Sequence, residues 1–131
     1  MTLIDTSAWI EFFRAKGDAT LKARVADLIS FGAAVYTCPI RFELFVGARP
    51  QDLTDLRAGL GFARRLPLTS EHWDAAAALG AKLRASGHSI PASDLLIATV
   101  AHEENIPLLA RDEHFLALRL RLLPGLQLIE V

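Results

Sequence analysis

Cysteine, methionine and tyrosine each occur once in this 131-residue sequence, and lysine only three times against eleven arginines. The lone Cys38 has no partner for an internal disulfide, which excludes a disulfide scaffold and predicts a reducing, cytoplasmic home. Apolar runs are short. Leu95 to Ala101 is one of the longest, far below the ~20 residues that span a bilayer, so no membrane role is expected. The opening MTLIDTSAWIEFF carries Asp5 and no basic leader, unlike a secretory signal. Excess charge is also missing: the formal net charge is −1, which gives no bulk attraction to nucleic acid. With 52% apolar residues, so low a charge excludes disorder. The apolar share is high for a small chain and predicts that some of it faces a partner.

Several catalytic motifs are absent as well. There is no GKS or GKT for a phosphate-binding loop and no GxSxG for a serine nucleophile. His102 opens HEEN, but Ile106 stands where a zinc-protease motif needs its second histidine. Gly59 and Gly61 match two glycines of a dinucleotide fingerprint, with Arg64 in the third place. His72, His88, His102 and His114 show no ligand spacing and read as solvated or locally satisfied. Only His114 lies near the acids discussed below.

What is present is a single alternation of short apolar runs and amphipathic stretches, predicting one domain over residues 1–131. Strands are expected at Thr2–Ile4, Ala33–Thr37, Leu66–Leu68, Leu108–Ala110 and Gly125–Val131. Helices are expected from Thr6 or Ser7 to Phe13, over Asp18–Phe31, from Pro39 to Val46, over Gln51–Leu66 and Glu71–Ser86, from Asp94 to Glu104 with Ser93 as cap, and after Asp112. Trp9, Phe12 and Phe13 form a helical stripe for the core or an interface. Strands separated by helices pair in parallel, so the fold class is α/β: a small parallel sheet of four to five strands with helices on both faces. Ligands of such sheets bind beyond the carboxyl ends of the strands, where Asp5 and Asp112 fall.

Each acid has two readings. Asp5, before Thr6-Ser7, is a helix cap or a metal ligand. Asp94 is a first-turn acid favoured by the helix dipole or a ligand, and Asp112 is again a cap or a ligand. Glu43 is the most informative, because Ile40, Leu44, Val46 and Gly47 surround it on its helix. A carboxylate amid an apolar face costs several kcal/mol unless something cationic meets it. Carboxylates gathered within ~5 Å repel by about 3 kcal/mol per pair at an effective dielectric near 20. A divalent cation removes that cost, and all-oxygen donors favour Mg²⁺ or Mn²⁺. Neutralising four acids turns the formal −1 into +3, compatible with a polyanionic substrate.

These residues carry a resemblance over the whole chain. The strand ending in Asp5-Thr6-Ser7, the aromatic helix WIEFF, Glu43 with Gly47 four residues on, Asp94 in SDLLIA, and Asp112 with Phe115 in LLARDEHF are similar to PIN-domain ribonucleases of the VapC toxin type. The resemblance implies a three-layer PIN-like fold and metal-dependent cleavage of single-stranded RNA. It implies an acidic site of Asp5, Glu43, Asp94 and Asp112 binding Mg²⁺ or Mn²⁺, supported by the Thr6 or Ser7 hydroxyl. It also implies a homodimer and a cognate, VapB-like antitoxin. Arg14, Arg41 and Arg111 are candidates for contact with RNA phosphates. Ala110 departs from the family, whose members often carry threonine there. Ser7, where a second aspartate is needed, argues against a haloacid-dehalogenase-type phosphatase. Ile4 and the lack of aspartate between Asp27 and Asp52 argue against a receiver domain. The alternative from another class is a non-catalytic module of the same fold whose acids receive an antitoxin's basic side chain.

Overall fold

Thr2-Leu3-Ile4 combines β-branched and apolar residues, and in the computed structural model, which describes residues 1–129, it forms the fully buried strand β1 (Thr2–Ile4). A strand buried on both faces sits at the centre of a sheet. β2 (Ala34–Tyr36) and β4 (Leu108–Leu109) pair with it in parallel, placing Leu3 opposite Val35 on one side and Leu108 on the other. β3 (Arg64–Arg65) and β5 (Leu128–Ile129) complete a five-stranded parallel sheet of order β3-β2-β1-β4-β5. The last two residues of the expected final strand, Glu130 and Val131, lie outside the described residues.

Among the described residues seven helices flank the sheet, giving the α/β class read from the sequence. They are α1 (Thr6–Phe13), α2 (Ala19–Ser30), α3 (Cys38–Val46), α4 (Leu53–Gly61), α5 (Ser70–Ala85), α6 (Ala92–Glu103) and α7 (Glu113–Arg121). The local signals act as expected at several ends. Asp18 caps α2 by accepting from the Leu21 N–H, and Pro39 lies in the first turn of α3. Asn105, at φ 53°, turns the chain out of α6 toward Pro107 and β4.

One region differs. The sequence carries the fourth helix to Leu66 and places a strand at Leu66–Leu68, whereas a 3₁₀ turn (Pro50–Asp52) precedes α4, which stops at Gly61, and the strand is Arg64–Arg65. Two glycines in its last three residues weaken the helix there. Leu66 N–H still donates to the Tyr36 carbonyl at 2.8 Å, but Pro67 has no N–H to extend the ladder.

Leu3, Ile4, Val35, Ile40, Ile97, Leu108, Leu109 and Phe115 form the centre of the core. Trp9 is fully buried, with Phe12 edge-on and Phe13 stacked against it, so the aromatic stripe belongs to the core. Among the described residues no helix is long and apolar enough to cross a membrane.

Candidate active site

The strand order reverses direction between β1 and β4, and the crevice outside their carboxyl ends is where parallel sheets of this kind bind ligands. Asp5 follows β1 and Asp112 follows β4. Asp5 N–H donates to the Leu109 carbonyl at 2.9 Å, locking the two strand ends together.

Asp5 fills the capping role, and does so with one oxygen only. One carboxylate oxygen, Oδ2, caps α1 by accepting from Ser7 N–H at 3.0 Å and from Ser7 Oγ at 2.6 Å. The other, Oδ1, is buried and has no hydrogen-bond partner. Burial pushes the Asp5 carboxyl up from 3.8 to about 6, against the lowering effect of the Ser7 bonds, and the Asp94 charge adds to the rise. A buried, unpaired carboxylate oxygen is costly, and a cation at that place would satisfy it.

Asp94 lies in the first turn of α6, only 7% exposed. Ser93 does not cap this helix. Pro91 holds the extended cap position at φ −54° and ψ 142°, two residues earlier than expected, which leaves the Ser93 hydroxyl available. Asp112 caps α7 by accepting from the His114 N–H at 2.9 Å. His114 is the residue the sequence reading missed as a member of the site. It is neither simply solvated nor satisfied within its own turn: Nδ1 lies 2.7 Å from Asp94 Oδ2 and 3.2 Å from Asp112 Oδ1. The signal was its position two residues after a capping acid, where the helix turn brings it back over the strand end.

Asp94, Asp112 and His114 offer donor atoms within 4.8 Å of one another, the one such cluster among the described residues. Asp5 and Glu43 stand outside this tight group and are coupled to it by charge. Burial raises the Asp94 carboxyl, the Asp112 and Glu43 charges raise it further, and the His114 bond opposes them. The hydrogen bond to Asp94 is the main cause that raises His114.

Glu43 corrects a second expectation. It is half-buried at the boundary of α3 rather than in the middle of an apolar face. Ile40 and Leu44 point into the core, while Val46, three residues on, is 71% exposed. The groups that meet Glu43 are hydroxyls: Thr6 Oγ1 donates to Oε1 at 2.8 Å and Ser93 Oγ to Oε2 at 3.3 Å. Thr6 and Ser7 therefore serve different acids, Glu43 and Asp5. Ser7 Oγ also accepts the Arg111 N–H at 2.9 Å, so the loop through Ala110 is tied to Asp5 despite the missing threonine.

The three candidate arginines are exposed and not equivalent. Arg111 pairs with Asp18 at 3.0 Å and approaches Glu11 at 3.7 Å, Arg14 pairs with Glu11 at 3.2 Å, and Arg41 lies over the Phe45 ring. Of the remaining histidines, buried His72 meets Glu104 at 2.8 Å and accepts the Thr69 N–H, tying α5 to α6.

A protein-family model described as PIN domain matches residues 2–119. No curated protein sequence matches the chain. Among solved structures the chain is similar to VapBC2 from Rickettsia felis bound to a promoter DNA fragment, with TM-score 0.78 at 19% identity over 98% of this chain and 96% of that one. It is similar to VapBC-5 from Mycobacterium tuberculosis, a member of the VapBC family of toxin–antitoxin systems, with TM-score 0.69 at 26% identity over 99% and 98%. It is also similar to VapC20 from Mycobacterium tuberculosis, a toxin that cleaves the sarcin–ricin loop, with TM-score 0.66 at 18% identity over 89% and 94%.

Proposed function

The chain belongs to the PIN-domain family, and from that premise we propose that it is a cytoplasmic, Mg²⁺- or Mn²⁺-dependent endoribonuclease cutting single-stranded RNA, the toxin of a VapBC-type pair. The observation that carries the reading is the acidic crevice between β1 and β4. Asp5 Oδ1 is buried there without a partner, Asp94 and Asp112 converge on His114, and the Asp94 charge is felt at Asp5.

In this reading Asp5, Asp94 and Asp112 hold the cation, and Glu43 is a further ligand or orients the attacking water. The chemistry a bound divalent cation supplies is a water of lowered pKa and charge opposite the phosphate. The protein's own part is orientation. Ser7 fixes Asp5, the Thr6 and Ser93 hydroxyls fix Glu43, and His114 holds Asp94 and Asp112 toward each other. Arg14, Arg41 and Arg111 are assigned to RNA phosphates, with Arg14 and Arg111 exchanging Glu11 and Asp18 for substrate. The experiment is incubation of the protein with single-stranded RNA, with Mg²⁺ or Mn²⁺ and with EDTA. Cutting with metal, lost with EDTA and in Asp94→Asn, is the expected result. Cutting of equal rate in EDTA or in the variant would refute the assignment, and tight antitoxin binding with no cutting of any RNA would favour the non-catalytic module.

Two partners belong to the same proposal. The antitoxin is assigned to a groove of about 460 Å³ whose apolar floor includes Ile10 and Phe13 of α1, Leu44 of α3 and Leu56 of α4. The likeness to VapBC2 and to VapBC-5, a member of the VapBC family of toxin–antitoxin systems, supports an antitoxin. A second copy is assigned to the outer face of α3, where Phe42 and Val46 are 69% and 71% exposed one turn apart. Light scattering should find a dimer at micromolar concentration, and Phe42→Glu should convert it to a monomer without loss of folding. A monomeric wild type would remove this part of the proposal.

A further inference from the structure

Both oxygens of Glu43 are engaged, and by hydroxyls from two helices that lie far apart in sequence. Thr6 opens α1 and Ser93 is in the first turn of α6, and α3 packs against both helices. Thr6 Oγ1 donates to Oε1 at 2.8 Å and Ser93 Oγ to Oε2 at 3.3 Å. A glutamate side chain has three rotatable torsions, and one hydrogen bond leaves its carboxylate free to swing about the bonded oxygen. A second bond, on the other oxygen, fixes the plane. Each oxygen then keeps its remaining lone pair in a set direction.

We infer that Ser93 is a positioning residue: it completes, with Thr6, a two-hydroxyl clamp that sets the plane of the Glu43 carboxylate toward the acidic crevice. The inference rests on the nuclease reading and adds to it a residue and a role. Two further observations carry it. Pro91 takes the cap position of α6, so the serine hydroxyl is not consumed in capping. Ser93 is joined by one peptide bond to Asp94, so the bond to Glu43 also ties the first turn of α6, and with it Asp94, to α3. Ser93 and Glu43 are both half-buried, and water reaches either when the bond is lost. Removing the hydroxyl therefore disturbs orientation far more than folding.

The test is a double-mutant cycle on the full chain: wild type, Ser93→Ala, Ser93→Thr, Glu43→Gln, and Ser93→Ala with Glu43→Gln. Three quantities are read, namely RNA cleavage, Mn²⁺ affinity by calorimetry without RNA, and melting temperature. Ser93→Ala is expected to lower kcat by about tenfold, in the range seen when supporting partners of a metal site are removed. KM for RNA and the melting temperature stay near wild type. Ser93→Thr restores most of the rate. In the Glu43→Gln background Ser93→Ala costs nothing more, because residues acting through one group are not additive. Mn²⁺ affinity falls severalfold in each single variant and no further in the double.

Losses that multiply in the double variant overturn the positioning role and leave the nuclease reading standing. So does a wild-type rate for Ser93→Ala beside an impaired Glu43→Gln. A fully active Glu43→Gln removes Glu43 from the catalytic set and overturns the clamp with it, whereas a wild type that cuts no RNA overturns the nuclease reading itself. Mn²⁺ affinity then decides alone for Ser93, and an unchanged affinity in Ser93→Ala overturns the clamp.

Discussion

Asp5→Asn should raise the melting temperature of the metal-free protein at pH 7.5 while abolishing RNA cleavage. Most substitutions of buried residues destabilise, so the sign is the informative part. The folded state holds the Asp5 proton more tightly than the unfolded chain does, with a carboxyl at about 6 against an ordinary 3.8. The Asp5 contribution to the stability of the metal-free protein therefore falls as pH rises from about 4 to about 6, and the deficit is complete above that range. At 1.36 kcal/mol per pKa unit the full deficit is about 3 kcal/mol. Asparagine cannot ionise, and its side-chain oxygen can still accept from Ser7. Recovering about half of the deficit corresponds to a rise of about 3–6 °C for a chain of this size. Cleavage should drop by more than ~100-fold, since loss of even a supporting partner of a metal site costs 10–100-fold. Thermal melts at pH 5 and 7.5 in EDTA check the stability side: wild type should be the more stable at pH 5, and the variant should lose much of that difference. A variant that melts lower than wild type at pH 7.5 would show that the Asp5 charge is not under strain, and a variant that still cuts RNA would remove Asp5 from the site.

The stabilisation given by Mg²⁺ or Mn²⁺ should be much larger at pH 8 than at pH 5.5. At low pH the crevice is already neutralised by protons. Asp5 holds one, and His114, raised chiefly by its bond to Asp94, holds another between Asp94 and Asp112. The His114 contribution is present below its unfolded pKa and is lost as pH rises through the higher folded value. Above that, carboxylates face each other without protons, and a cation gains what the protons gave up. Metal at 100 times its Kd stabilises by about 2.7 kcal/mol. That is the order of increment expected at pH 8 for wild type, with most of it gone in Asp94→Asn. Melting curves with and without metal at the two pH values read it directly. Equal increments at both pH values, or an undiminished increment in Asp94→Asn, would place the cation somewhere other than the crevice.

The two predictions share a cause: the site is built from groups that the fold brings together against their mutual repulsion. How much of this was legible in the sequence differs by element. Alternating short apolar runs and helical periods gave the parallel α/β fold, because burial on a central strand and amphipathy on a helix are local patterns. Asp18, Asp112 and Asn105 marked their helix ends through local hydrogen bonds and backbone freedom. Where two local signals competed, the reading slipped. Ser93 looked like a cap although Pro91 holds that place, and the run past Gly61 looked helical although β2 drew Arg64 and Arg65 into the sheet.

The four acids could be named from their types and positions, but not their division of labour. Only the folded chain places His114 between Asp94 and Asp112, gives Thr6 to Glu43 and Ser7 to Asp5, and leaves Asp5 Oδ1 buried without a partner. By itself the sequence determined the fold class, the strand-end aspartates and the family likeness, since each depends on residues within a few positions of one another. The tertiary structure decided the rest. Orientation, burial and charge coupling at this crevice arise from contacts that reach 20 to 104 positions along the chain, such as His114 with Asp94, Thr6 with Glu43 and Ser7 with Arg111, and no local pattern encodes those distances.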